Sequence, residues 1–357
     1  MPAVSQFPVF DGHNDTLLDL ANPERGGGRT FFERSDQGHI DYPRAIEGGF
    51  GGGFFAVYVP ADPTAPPPAG PVLNVFEGRE FRMPRPLALD YAQRQTLMMT
   101  GLLLRLERES EGKLKVVRTA DDLVTCLETG VMATILHFGG AEAIDPGLDA
   151  LEIFYRAGLR SLGLVWSRPN DFASGVPFIF PHSPDVGPGL TDAGKGLVRE
   201  CNRLGIMLDL SHLNEAGFWD IARLSDAPLV ATHSNVHAIT PTPRNLTDKQ
   251  LDAIRDSDGM VGLNFAVAFL NEAGTNDAAT PIATMVKHID YLVERLGIER
   301  VGLGSDFDGA TIPAEIGDVA GLPRLLDALR ANGFDDDAMR KITHENWVRV
   351  LRKTWKD

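Results

Sequence analysis

Four short polar motifs, each closing an apolar run, constrain this chain more than any other feature. Asp11-Gly12-His13-Asn14-Asp15 follows Phe7-Pro8-Val9-Phe10, and Asp209-Leu210-Ser211-His212 follows Gly205-Ile206-Met207-Leu208. Thr232-His233-Ser234 follows Pro228-Leu229-Val230-Ala231, and Gly304-Ser305-Asp306-Phe307-Asp308 follows Arg300-Val301-Gly302-Leu303. Histidines and aspartates at the same end of several separate strands have one economical arrangement. The strands run parallel in a closed barrel, and these residues meet on the face where such barrels keep their active sites. Imidazole nitrogen and carboxylate oxygen suit zinc and related divalent ions.

The remaining pattern fits an α/β fold, a (β/α)8 TIM barrel with loop insertions, as one domain over residues 1–357. Such barrels take ~250 residues and more when loops are inserted. Strand-like runs fall near 7–12, 54–59, 131–137, 161–166, 206–211, 228–232, 260–265 and 301–305. Helical stripes lie between them, clearest in Ile282, Met285, Val286, Ile289, Leu292, Val293 and Leu296, and similar near 191–203, 214–224, 247–256 and 322–331. Alternation of the two predicts βαβ units and a parallel sheet. Thr191 and Thr247 are placed to cap helices. Trp347, Val350 and Leu351 predict a terminal helix. The proline-rich stretch 60–71 and the Pro/Gly-rich stretch 168–190 read as loops, and long loops in a compact domain often wall a substrate site.

Composition excludes some classes. A formal net charge of −15 argues against nucleic acid or an anionic membrane as the main partner, because either needs a basic patch. Cys126 and Cys201 lack a C-x-x-C spacing and are too few for a disulfide framework. With no secretory leader pattern and no apolar run of ~18 residues, a cytoplasmic location is expected. Oligomeric state is left open, a homodimer among the options.

His13 and Asp15, two apart at a strand end, point to the same side and can reach one ion. His212 and His233 occupy matching strand-end positions; each alone could equally be a core histidine bonded to a carbonyl. Ser211 and Ser234 beside them could steady the imidazoles. Asp306, beyond the last strand, can take a proton from an activated water and pass it to a leaving amine. Asp308-Gly309 reads equally well as a turn. Arg244 could grip a carboxylate through paired hydrogen bonds or remain a solvated loop cation.

Taken together, the motifs resemble the membrane (renal) dipeptidase family of zinc metallopeptidases, among the amidohydrolase-type barrels. The resemblance runs from about Phe10 to about Arg352. Besides the motifs above, it is carried by Gly51-Gly52-Gly53-Phe54-Phe55-Ala56-Val57-Tyr58, Gly140-Ala141-Glu142-Ala143, Phe154-Tyr155-Arg156-Ala157-Gly158-Leu159-Arg160, Asn202-Arg203-Leu204 and Arg244-Asn245. It implies two zinc (Zn) ions, one on His13 and Asp15 and one on His212 and His233. It implies hydrolysis of a small dipeptide by a metal-bound hydroxide, with Asp306 as proton shuttle and Arg244 on the terminal carboxylate. Tyr58, Trp166 and Arg168 are the further substrate-binding residues expected. Two departures stand out. The family's metal-bridging glutamate is Gly139 here, which leaves each ion two evident protein ligands and predicts impaired activity. Trp166 stands where some members carry a carbonyl-polarising histidine, which leaves the metals or Arg168 for that work. The rival readings are an amidohydrolase acting on acylated amino acids and a non-catalytic small-molecule-binding barrel.

Overall fold

The computed structural model describes residues 6–68, 70, 72, 74–76 and 79–356. Eight strands form a closed parallel barrel: β1 Val9–Asn14, β2 Phe50–Val57, β3 Met132–Phe138, β4 Leu159–Gly163, β5 Met207–Asp209, β6 Val230–Ala231, β7 Met260–Leu263 and β8 Val301–Leu303. Each strand pairs with its neighbours in chain order, and β1 pairs with β8 to close the ring. An extra strand, Leu114–Val116, pairs with β3, and a small hairpin joins Asn74–Phe76 to Arg79–Phe81. Of the expected loop 60–71, residues 69 and 71 lie outside the described residues.

The expected helices form at Asp192–Leu204, Glu215–Leu224, Asp248–Asp256, Ile282–Leu296 and Leu322–Ala331, with a terminal helix at Asn346–Thr354. Thr191 Oγ1 accepts the Gly194 N–H at 3.0 Å, and Gln250 Oε1 accepts the Thr247 N–H at 2.9 Å. Both satisfy backbone groups that a helix start leaves without partners. The helices Leu89–Glu109, Ala120–Thr129 and Asp149–Ala157 were not anticipated. In the first, Thr96 and Thr100 share the buried face with Tyr91, Ala92, Met99, Leu103 and Leu106, so the apolar stripe is interrupted.

Strand boundaries also differ. β2 begins at Phe50, four residues before the expected 54, and takes in Gly51, Gly52 and Gly53, which the expected strand left out. Close approach of strands explains them. A Cβ on Gly52 would sit 1.9 Å from the Ala133 carbonyl oxygen, and one on Gly53 would sit 2.6 Å from that of Asp11. At the other end, β4 to β8 stop short of the expected limits, because their last residues leave the ladder to build the site.

Trp347, from the terminal helix, fills the barrel interior beneath that site and donates its indole N–H to the Leu303 oxygen at 3.2 Å. Strand glycines make the room. A Cβ on Gly12 would lie 2.6 Å, and on Gly302 2.9 Å, from atoms of the indole. Phe10, Phe54, Met207, Val230 and Met260 complete this inner cluster, while a larger one fills the layer between strands and helices. Among the described residues, no helix is long and apolar enough to cross a membrane.

Candidate functional site

The carboxyl ends of the strands surround a cavity of about 380 Å³. His13, Asp15, His212, Asp306 and Gly139 supply its polar and open side, and Tyr58, Trp166, Phe178 and Phe269 supply aromatic walls. Phe178 comes from the loop 168–190, so part of that loop does wall the cavity.

His212 follows β5 and His233 follows β6, and their Nε2 atoms are 3.1 Å apart. Hydrogen bonds behind the rings set their tautomers. Asp209 is acceptor-only when ionised. Its Oδ2 accepts the Thr232 hydroxyl at 2.6 Å, so that hydroxyl oxygen must accept from His233 Nδ1 at 2.8 Å. The proton therefore sits on Nδ1, and His233 Nε2 presents a lone pair to the cavity. Ser167 Oγ lies 2.8 Å from His212 Nδ1 and can do the same for that ring. Ser211 and Ser234, expected to steady the imidazoles, do not reach them. Ser211 Oγ accepts the backbone N–H of His233 at 3.1 Å and meets Ser234 Oγ at 3.3 Å. Burial holds both imidazoles well below the usual histidine range, and neighbouring cations reinforce it. Two neutral rings aiming nitrogens at one point make a cation site. Zinc–nitrogen bonds of ~2.0–2.1 Å let one ion take both nitrogens.

The second group joins His13, Asp15 and Asp306, whose donor atoms all lie within 4.8 Å of one another. His13 stacks on His233 with centroids 3.8 Å apart. Its Nε2 is 3.7 Å from Asp15 Oδ2, while His13 Nδ1 and Asp15 Oδ1 are buried without a hydrogen-bond partner. Such orphans are rare in folded proteins unless something is meant to fill them. Burial alone would depress the His13 pKa, but the nearby Asp15 carboxylate, with the charges of Asp306 and Asp209, raises it to about 9. The cradle thus favours positive charge. The donors therefore suit divalent ions at both places.

Asp306 Oδ2 accepts from Asn264 Nδ2 at 2.9 Å, which fixes the carboxylate at the cavity edge; burial raises its pKa. His212 and Asp306 both have left-handed backbones, with φ of 68° and 60°. For non-glycine residues this conformation costs ~1–2 kcal/mol, and it persists where the surroundings impose it. Asp308 is more than a turn residue. It is buried, its Oδ2 accepts from Thr16 Oγ1 at 2.9 Å and Arg29 Nη2 at 3.1 Å, and it ties the loop after β8 to the first helices.

Asp209 also lies near His13 and His233, but Ser211 N–H, Thr232 N–H and the Thr232 hydroxyl all bond to it. Its role is to orient His233. Like Thr232, Ser167 and Asn264, it was not singled out from the sequence, although it opens one of the four motifs. His137 packs edge-on against His13 with centroids 5.3 Å apart, and its buried Nε2 has no hydrogen-bond partner. Burial lowers its pKa to about 4.

Arg244 is buried, with its guanidinium 5.2 Å from the Phe269 ring centroid, so it is not a solvated loop cation. Its Nη2 donates to the His233 oxygen at 3.0 Å, its Nε has no partner, and burial lowers its pKa to about 10. Arg168 lies behind Tyr58 and Trp166, with Glu142 3.6 Å from its Nε. At Gly139 a Cβ would have 3.7 Å to the Val57 oxygen and 4.0 Å to His13 Cε1, so a side chain fits there without a clash.

Residues 2–356 match the model of the membrane dipeptidases, peptidase family M19. The crystal structure of dipeptidase AC, a metallo peptidase of that family, is 54% identical with a TM-score of 0.91, covering 98% of this chain and 99% of its own. A metallo peptidase from Rhodobacter sphaeroides, liganded with a phosphinate mimic of the dipeptide L-Ala-D-Ala, is 53% identical with a TM-score of 0.91, covering 98% and 100%. A protein of Claviceps purpurea, dipeptidase tcpJ, is 28% identical over 352 residues, 96% of this chain and 76% of that one.

Proposed function

Because the chain belongs to the membrane dipeptidase family of metallopeptidases, we propose that it hydrolyses small dipeptides with zinc at His212 and His233 and at His13 and Asp15. The observation that carries this reading is the pair of Nε2 atoms 3.1 Å apart, one of them fixed as a lone pair by the Asp209–Thr232 chain. A bound divalent ion supplies Lewis acidity toward a carbonyl oxygen and toward the attacking water. The residues around it do the rest. Asp306, held by Asn264, takes the proton from that water and returns it to the departing amine. Arg244, set behind the cavity wall at Phe269 with its Nε unpartnered, stays cationic at neutral pH and attracts the substrate carboxylate to that side of the cavity. Trp166, Phe178 and Phe269 exclude water and limit the side chains that fit.

Gly139 tempers the proposal. With no carboxylate there, His212 and His233 lack the third protein ligand usual for catalytic zinc, and the other site reaches three only by drawing on Asp306, which the reaction uses as its base, so binding is weak and turnover low. The open space at Gly139 also favours a second reading, a barrel that binds a small ligand without cleaving it. Hydrolysis of a dipeptide panel decides between them, with the protein as purified, after chelation, and after zinc is restored. Hydrolysis lost on chelation and regained with zinc is expected. Ligand binding without hydrolysis under any metal condition would leave the second reading.

A further inference from the structure

Arg168 is a fully buried cation outside the metal cluster, and most of its hydrogen-bonding capacity is unused. It is 1% exposed. Its Nη2 donates to the Tyr58 hydroxyl at 3.1 Å and to the Val59 oxygen at 2.8 Å. Its Nε and Nη1 have no hydrogen-bond partner, and Glu142 at 3.6 Å is a charge neighbour beyond hydrogen-bond length. Burying a guanidinium with so little compensation is costly, so the arrangement calls for an explanation.

Tyr58 provides one. Arginine only donates, so toward Arg168 the Tyr58 oxygen must accept. The phenolic hydrogen is then left over, and no acceptor for it exists among the described residues. The ring stands just past β2, lines the cavity, and meets Trp166 edge-on at 5.2 Å; Trp166 in turn lies 5.9 Å from His212. Burial raises the phenol's pKa to about 12, so the hydrogen stays in place at neutral pH. A hydroxyl that accepts from a cation becomes a stronger donor through its own hydrogen.

We propose that Tyr58 is a catalytic residue whose O–H donates to the oxygen of the scissile carbonyl as negative charge builds there, and that Arg168 is the positioning residue that polarises and orients it. The proposal rests on the dipeptidase reading. Arg168 does not line the cavity, so it acts through Tyr58 rather than on the substrate. A donor aimed where charge develops stabilises the transition state more than the ground state.

Two measurements on Tyr58→Phe test it: steady-state kinetics on a good dipeptide, and calorimetric binding of a phosphinate dipeptide mimic, which carries the tetrahedral charge without turning over. The expected result is kcat lower by ~10²-fold with little change in KM, the scale for losing one such donor, and phosphinate affinity lower by about tenfold or more. Unchanged kcat, or a rise in KM alone, would make Tyr58 a subsite wall and overturn the proposal. For Arg168, the charge-balanced pair Arg168→Met with Glu142→Gln should lower kcat when Tyr58 is present and change nothing further in Tyr58→Phe. Multiplying losses would overturn the relay; if that pair does not fold, Arg168→Lys supplies the same comparison. Should the parent cleave no dipeptide yet bind the phosphinate more tightly than Tyr58→Phe does, the dipeptidase reading and the catalytic role fail, and Tyr58 is left as a donor to a bound oxyanion. Hydrolysis with full kcat in Tyr58→Phe sinks this assignment alone, and no phosphinate binding by the parent sinks both.

Discussion

Thr232 holds His233 in place, and Thr232→Val isolates that role. Valine nearly matches threonine in volume and rotamer preference, so the fully buried site is filled and only the hydroxyl is lost. Two contacts go with it, the 2.6 Å bond to Asp209 and the 2.8 Å contact with His233 Nδ1. The first is a bond to a charged group, ~1.5–3 kcal/mol by usual experience. Asp209 keeps the N–H groups of Ser211 and Thr232, which places the stability loss of the metal-free protein at the lower end, about 2 kcal/mol. Loss of the second frees the ring to rotate and to shift its proton to Nε2, which removes the lone pair aimed at His212. Partners of this kind are worth ~10–100-fold in metal affinity, or ~1.4–2.8 kcal/mol at 1.4 kcal/mol per decade. Urea denaturation with and without chelator separates the two effects, and competition with a chelating dye gives the affinity directly. Thr232→Ser is the control. It restores the hydroxyl, so it should lose some packing stability and keep the parent's metal affinity. Metal affinity in Thr232→Val within about twofold of the parent would refute the orienting chain, since the weakest orienting effect is ~10-fold.

Other expectations follow from the same geometry. Asp306→Asn keeps the Asn264 contact region filled, leaves an amide oxygen beside His13 and Asp15 and removes the base, so metal content should hold while kcat drops ~10²-fold or more; full activity would exclude Asp306 from proton transfer. Arg244→Ala should depress turnover of dipeptides far more than of dipeptide amides, and equal losses on both would count against a carboxylate-binding role. His288 is buried neutral, with Nε2–H bonded to the Leu270 oxygen at 2.9 Å and Nδ1 accepting the Val236 N–H at 3.2 Å. Burial lowers its pKa from 6.5 to about 4. Its contribution to stability is therefore complete above pH 6.5 and is lost as pH falls toward 4, ~3.5 kcal/mol at about 1.4 kcal/mol per pH unit over that 2.5-unit span. Denaturation of His288→Gln should show a correspondingly flatter acid limb, and an unchanged acid limb would refute the assignment.

Much of this site was legible because each residue of the candidate metal site closes an apolar run, and strand ends are marked in the sequence by where apolarity stops. His13, Asp15, His212, His233 and Asp306 were found that way, and the structure brings them to one face. What was not legible depends on contacts between strands. Nothing local says that Thr232 bridges Asp209 to His233, because the bridge spans 23 residues of chain. The glycines of β2 were left out of the expected strand since the strands they approach, β1 and β3, are invisible from Gly51-Gly52-Gly53 alone. Ser211 and Ser234 were credited with steadying the imidazoles on adjacency, yet left-handed backbone at His212 turns its ring away toward Ser167. Arg244 was ambiguous between surface and site, and only its burial decides that it is not solvated.

Metal content per chain, measured after exhaustive dialysis for the parent and for Gly139→Glu, tests the central claim most directly. The open space at Gly139 and the lack of a bridging carboxylate between the two donor groups predict a parent that retains clearly fewer than two ions, and a variant that gains metal and dipeptide hydrolysis together. Two tightly held ions in the parent with no gain from the glutamate would contradict the account of Gly139, and no bound metal in either protein would contradict the assignment of His13, Asp15, His212 and His233 as ligands.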